Sequence, residues 1–313
     1  MKVAVLGASG IGKYHAQWFH KEGCEVVAFL TKNEETISST RNLLKQLFSF
    51  NGRGYFKFEK LLEEEQPDIV VVATPTETHY EYTVAALEFG SHVYCEKPFI
   101  WESQFTKNIL SRAQQLLQTA KRKKLLLGIN TQYVAAIPFY KSFQKLDSGI
   151  NSFYFEMETN KNINLTYENL WIEMMPHPLS MLIKWLNNGT IDKESIDCII
   201  KKKEFSTRFN YSTPNNVCKV QIIGKCVNTH PIRRFGINNI IVDCVGKREN
   251  SYNNYLIYNG QGLKCDDFMY QSIKKFIYAV KNKQQNKMLV PPKDIYKNLE
   301  LQVDLYNRIK QII

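Results

Sequence analysis

The first twelve residues constrain this chain more than any other stretch. Lys2–Leu6 (KVAVL) is an apolar run without a turn residue, and Gly7, Gly10 and Gly12 come directly after it, before a stretch of helical character over 13–19. A strand, a glycine turn and a helix start in that order form a cradle for a phosphate. Glycine supplies the positive φ of a tight turn and keeps Cβ atoms away from an approaching anion. The helix after the turn aims the positive end of its dipole at the same place. The pattern departs from G-x-G-x-x-G at one position, where Ser9 replaces the second glycine and Gly10 comes one residue later. Gly7, Ser9, Gly10, Ile11 and Gly12 are therefore the candidate dinucleotide contacts. An ordinary strand-to-helix turn could use the same residues, so the assignment depends on the elements downstream of residue 20.

Those elements alternate. Glu25–Leu30 reads as a strand, 35–48 as a helix, and 55–65 as a short strand or turn feeding another helix. Residues 68–73 (DIVVVA) form a nearly continuous apolar run, as expected of a parallel strand covered on both faces. A helix over 77–89 stops at Gly90, His92–Cys95 is the next strand, 105–119 a helix and 125–129 another strand. Such a series predicts a doubly wound parallel sheet of the Rossmann type over 1–129.

The texture changes after that. Strand-like runs at 153–159, 196–202, 218–223, 238–245 and 255–259 are joined by polar, asparagine-rich turns, with a helix inserted at 178–186. This predicts a C-terminal α+β domain over 130–313 with a large, mostly antiparallel open sheet. Helices are expected at 267–282 and 295–312, the last returning to the first domain. A chain of 313 residues accommodates two such domains.

The charge balance is +11, but the basic residues are spread along the chain. The one dense run, KRKK at 121–124, closes a helical stretch, where cations favour the helix dipole. Nucleic acid is therefore not the expected partner, and the excess charge suits an anionic cofactor or substrate. No apolar run approaches the length of a membrane span, and the chain opens directly on a strand, which predicts a cytoplasmic protein. Seven cysteines, none in a C-x-x-C pair, point away from a disulfide framework or a metal site.

With the glycine turn, His15, Ala73-Thr74-Pro75, His79 and Cys95-Glu96-Lys97-Pro98 in place, the chain resembles the Gfo/Idh/MocA family of two-domain NAD(P)-dependent oxidoreductases. The likeness is densest over the first hundred residues. It recurs at Glu173 to His177 and in the segment around Pro291 and Tyr306. It implies oxidation or reduction of a sugar, nucleotide sugar or polyol. It also implies pairing through the second sheet, as a homodimer or homotetramer. Ala73, Thr74, Pro75 and His79 are implied to line the nicotinamide and ribose pocket. Glu96 is implied to orient Lys97 or to contact the nicotinamide side.

The residues carry chemistry of their own. Lys97 lies just past a strand's carboxyl end, where open α/β sheets bind ligands. Its ammonium can hold a substrate oxygen and stabilise a developing alkoxide. The family's Asp-x-x-x-His pair corresponds to Glu173 and His177, with glutamate in place of aspartate and the histidine as general acid/base. A spacing of four puts two side chains on one helical face. Pro176 and Pro178 confine His177 to the first turn of its helix, and Glu173 is expected in a loop before it. Asn130 and Tyr133 come after the last strand of the first domain and are candidate substrate contacts, as is Trp171 by stacking on a sugar ring.

The second strand ends Phe29-Leu30-Thr31-Lys32. An acid usually stands there to bind the adenine ribose hydroxyls of NAD. Thr31 and Lys32 remove that carboxylate and offer a hydroxyl and a cation to a 2′-phosphate, so NADP(H) is favoured over NAD(H). Reduction is slightly favoured as the direction. Two alternatives stay open: imine reduction on the same frame, and a cofactor-binding sensor or scaffold without turnover.

Overall fold

A computed structural model describes residues 1–102, 106–143, 149–160, 166–187, 189–248 and 252–312. Contacts divide the chain into two units, Met1–Asn130 with Met269–Tyr296, and Thr131–Phe268 with Lys297–Ile313.

The first unit alternates strand and helix: β1 (Lys2–Leu6), α1 (Gly12–Lys21), β2 (Glu25–Leu30), α2 (Thr36–Leu47), β3 (Arg53–Tyr55), α3 (Phe58–Glu65), β4 (Ile69–Val72), α4 (His79–Phe89), β5 (His92–Cys95), α5 (Thr106–Arg122) and β6 (Leu127–Ile129). The strands are all parallel, in the order β3-β2-β1-β4-β5-β6. This is the doubly wound arrangement, with its switch point between β1 and β4. The four residues of β4 are fully buried, as its uninterrupted Ile-Val-Val-Val requires of a strand covered on both faces. The basic cluster after α5 behaves as a helix end, with Lys121 and Arg122 in the last turn.

The second unit contains α6 (Ile137–Tyr140), β7 (Ser152–Thr159), α7 (Tyr167–Met174), α8 (Pro176–Leu186), β8 (Thr190–Lys201), β9 (Glu204–Thr213), β10 (Asn216–Cys226), β11 (Arg233–Ile237), β12 (Ile240–Arg248), β13 (Tyr252–Tyr258) and β14 (Gln261–Asp266). Its strands form one sheet in the order β14-β13-β12-β11-β7-β10-β9-β8. All neighbours are antiparallel except β7 and β10. Asn238 and Asn239 join β11 to β12 with both φ values positive (47° and 68°), the conformation that matches a two-residue hairpin to strand twist. Three strands exceed the sequence expectation: β9, β11 and β14. Polar, basic or glycine residues interrupt each of them, so each lacks the apolar run by which the others were legible.

The chain closes with α9 (Phe268–Asn282) and α10 (Pro292–Ile312). The helix that returns to the Rossmann unit is α9, whereas α10 from Lys297 onward lies with the second unit. The reason is side-chain chemistry. Met269, Ile273, Phe276 and Ile277 of α9 join the cluster of Val3, Val5, Phe29 and Tyr94. Burying each such side chain stabilises by roughly 1.5–3 kcal/mol. In α10, Asn298 and Tyr306 bond instead to residues of the second unit. Among the described residues, no helix is long and apolar enough to cross a membrane.

Candidate active site

The carboxyl ends of the parallel strands bring the candidate residues of the first unit to one edge. Gly7 leaves β1 with φ +82°, and its N–H donates to the Leu30 carbonyl at 3.0 Å. A Cβ on Gly7 would lie 2.5 Å from the Ala73 carbonyl oxygen, and one on Gly12 would lie 2.6 Å from the Gly7 oxygen. The turn is packed on its inner side and admits only glycine at those two places. Ser9, Gly10 and Ile11 are exposed, and nothing lies within 4 Å of a Cβ built on Gly10. No acidic residue occupies the first turn of α1. A tight backbone cradle with an uncharged helix start and an open outer side fits a dinucleotide pyrophosphate.

Behind this edge lies a buried network centred on Glu96, which is 6% exposed. Nε2 of His15, from α1, donates to Glu96 Oε1 at 2.6 Å, and the Asn130 amide donates to the same oxygen at 2.7 Å. The other carboxylate oxygen accepts the Lys97 backbone N–H at 3.2 Å. Burial by itself would raise the Glu96 pKa. The His15 hydrogen bond and charge, the Lys97 charge and the Asn130 amide outweigh it, and the carboxyl is held down at about 2. Tyr94 carries the network further, donating to Ser272 Oγ at 2.7 Å and lying 3.3 Å from Asn130 Oδ1. Glu96 thus ties the segment that bears Lys97 to the helix of the glycine turn. Lys97 itself is half-buried, and the Lys97–Pro98 peptide is cis.

His79 is fully buried, with Nδ1 2.9 Å from the Pro98 carbonyl and Nε2 2.9 Å from the Thr74 carbonyl. The imidazole therefore clamps the Ala73-Thr74-Pro75 turn to the segment after Lys97. This differs from the pocket-lining role that the resemblance implied, because both nitrogens already face the chain. Thr74 is fixed as well, since its hydroxyl accepts from Thr78 Oγ1 at 2.8 Å. Thr31 also differs from expectation. Its single hydroxyl proton goes to the Asn33 carbonyl at 2.9 Å, and Lys32 beside it is exposed.

In the second unit, Glu173 is the penultimate residue of α7 and His177 the second residue of α8. Met175 at the joint keeps helical angles (φ −60°, ψ −33°), so Glu173 sits in a helix and not in a loop. Pro176 opens α8, where its missing N–H has no intrahelical partner. Asn298 of α10 donates to the Pro176 carbonyl at 2.8 Å and to Ser180 Oγ at 2.9 Å, which pins the turn that carries His177. The His177 ring meets the edge of Tyr133, with centroids 5.0 Å apart. Tyr133 is itself 4% exposed and packs on Phe155, Phe235 and Phe268. Trp171 is 1% exposed and lies against Tyr306, so its indole packs within the protein. Asn130 is 3% exposed and committed to Glu96.

Two contributors escaped the sequence reading of the site. His15 was legible as a residue near the turn, but its bond to Glu96 spans 81 positions. Arg233, whose charge faces the Tyr133 phenol, had one signal: two adjacent arginines in a strand must point to opposite faces.

Comparison with known proteins bears on this geometry. Residues 1–131 match the model of an oxidoreductase family with an NAD-binding Rossmann fold. D-xylose 1-dehydrogenase (NADP(+)) of Hypocrea jecorina is 38% identical over 79 residues, 25% of this chain and 18% of that protein. D-glucoside 3-dehydrogenase of Escherichia coli is 26% identical over 152 residues, 48% of this chain and 40% of that protein. The chain thus spans less than half the length of these curated relatives. The solved structure of UDP-N-acetylglucosamine 3-dehydrogenase from Acidithiobacillus ferrooxidans superposes with a TM-score of 0.74 at 16% identity. That superposition covers 98% of this chain and 97% of the other, a likeness of fold. A probable dehydrogenase from Thermotoga maritima superposes with a TM-score of 0.75 at 15% identity, over 100% and 98%. Over residues 1–131, with the glycine turn, the clamped Ala-Thr-Pro turn and the Glu-Lys-Pro segment at one sheet edge, the chain is similar to the Gfo/Idh/MocA oxidoreductase family.

Proposed function

We propose that this chain is an NADP(H)-dependent oxidoreductase acting on a hydroxyl or carbonyl carbon of a sugar, nucleotide sugar or polyol. The observation that carries the reading is the Glu96 network. A buried carboxylate holds the lysine-bearing segment at the sheet's carboxyl edge and links it to the helix behind the phosphate cradle. Bound at the glycine turn, the nicotinamide cofactor supplies or accepts the hydride. The backbone N–H groups of Ser9 to Gly12 hold its pyrophosphate, and Lys32 prefers a 2′-phosphate over a free hydroxyl. Lys97 binds the reacting oxygen and stabilises negative charge developing on it. His177 carries the proton to or from that oxygen, with Glu173 four residues before it as the supporting carboxylate. A homodimer or homotetramer formed through the second sheet belongs to the same proposal.

The test is isotope transfer from NADPH labelled at the nicotinamide C4 into a panel of keto sugars and imines. Wild type should label at least one keto sugar. Lys97→Met and His177→Ala should each lower kcat by about 10²–10⁴ while cofactor affinity stays within a few-fold. Cofactor binding without transfer to any acceptor would overturn the enzymatic reading and favour a sensor. Transfer confined to imines would replace the substrate class.

A further inference from the structure

β11 reads Arg-Arg-Phe-Gly-Ile from Arg233 to Ile237. Side chains alternate along a strand, and Phe235 and Ile237 are fully buried, so Arg233 shares their face while Arg234 points to the other. The two arginines meet opposite surroundings. Arg234 pairs with Asp243 at 3.0 Å and approaches Glu156 at 3.9 Å. Among the described residues no carboxylate pairs with Arg233. Its charge faces the phenols of Tyr133 and Tyr252 and the thiol of Cys244. Its Nε is buried without a hydrogen-bond partner.

Those neighbours do not balance the charge. Burial pushes the Cys244 thiol up to about 12 and moves both phenols above their ordinary range, so all three are neutral near pH 7. A guanidinium keeps its proton, and a half-buried charge facing only neutral groups is poorly compensated. Gly246 maintains the arrangement: a Cβ there would lie 1.9 Å from the Tyr252 hydroxyl, so only glycine lets that ring lie across the sheet. Tyr252 is 41% exposed, which leaves a solvent-facing side to the cluster. Tyr133, whose phenol faces Arg233, is the ring that touches His177.

We propose that Arg233 binds an anionic group, phosphate or carboxylate, on a sugar-derived substrate whose reacting carbon lies at His177. The proposal rests on the reading that His177 serves the reaction. The planar fork of a guanidinium pairs with either group through two parallel hydrogen bonds. Tyr133 lies beside both the fork and the imidazole.

Calorimetric titration of glucose, glucose 6-phosphate and glucuronate into the full chain with saturating NADP⁺ tests this. Wild type, Arg233→Gln and Arg233→Lys are compared. Wild type should bind at least one acidic probe about tenfold or more tighter than glucose. Arg233→Gln should weaken that probe by about 10–100-fold and leave glucose within about threefold. Arg233→Lys keeps the charge without the fork and should weaken it less, so it decides the matter if the glutamine variant does not fold. The probe that loses affinity identifies phosphate or carboxylate. Equal binding of acidic and neutral probes by wild type overturns the proposal, as does an equal loss for all three probes in the variants, the mark of a mere prop for Tyr133. NADPH formation on the same samples separates the two readings. Charge-selective binding without turnover keeps the Arg233 assignment and removes the oxidoreductase, and turnover without charge selectivity does the reverse.

Discussion

Replacing Glu96 by glutamine keeps the shape of the side chain and removes its charge from the centre of the buried network. In the folded protein the carboxyl is held at about 2, against an ordinary value of 4.5. That difference of about two and a half pKa units corresponds to about 3 kcal/mol of folding stability at neutral pH. The folded value lies below the unfolded one, so the contribution is fully present above about pH 4.5 and is lost as the pH falls towards 2. Urea unfolding of wild type and Glu96→Gln between pH 3 and pH 7 measures it. The two should differ by about 3 kcal/mol at pH 7, hold that gap to about pH 4.5, and close to roughly 1 kcal/mol near pH 3. A gap that does not depend on pH would show that glutamine disturbs packing and that the charge contributes nothing. A gap under about 1 kcal/mol at pH 7 would refute the pairing with His15 as a stabilising contact.

The same structure sets three further outcomes. Gly7→Ala must push a Cβ into the Ala73 carbonyl at a positive φ and should cost at least a few kcal/mol in thermal unfolding, whereas Gly10→Ala meets nothing and should leave the melting temperature unchanged while weakening NADPH binding about tenfold or more. Thr31→Asp combined with Lys32→Ala should shift the ratio of NADPH to NADH affinities by about 10–100-fold towards NADH, measured by fluorescence titration; an unchanged ratio defeats the assignment of Lys32. Burial holds the Cys95 thiol well above its ordinary range, so Cys95 should resist alkylation at pH 8 until the protein unfolds.

Local pattern determined the first unit almost completely. Lys2–Leu6, Glu25–Leu30 and His92–Cys95 appear in the structure with the bounds that their apolar runs set, because a strand buried on both faces must be written as continuous hydrophobic sequence. The glycine turn and the Glu-Lys-Pro segment were legible for a similar reason: backbone geometry admits few residues there. The second sheet was harder to read. β9 buries alternate residues against a polar face, β11 opens on two arginines and β14 buries only Cys265, so apolar content alone does not mark them. Tertiary structure alone decided the partners. Glu96 reads as a group that orients Lys97 or contacts the nicotinamide side, and its partners His15 and Asn130 stand 81 and 34 residues away. His79 reads as a pocket residue until two carbonyls from separate loops take both nitrogens, and Trp171 as a stacking platform until Tyr306 covers it. Periodicity records which face of an element is buried. Which group waits on the other side depends on contacts between distant parts of the chain, and no local window contains both partners.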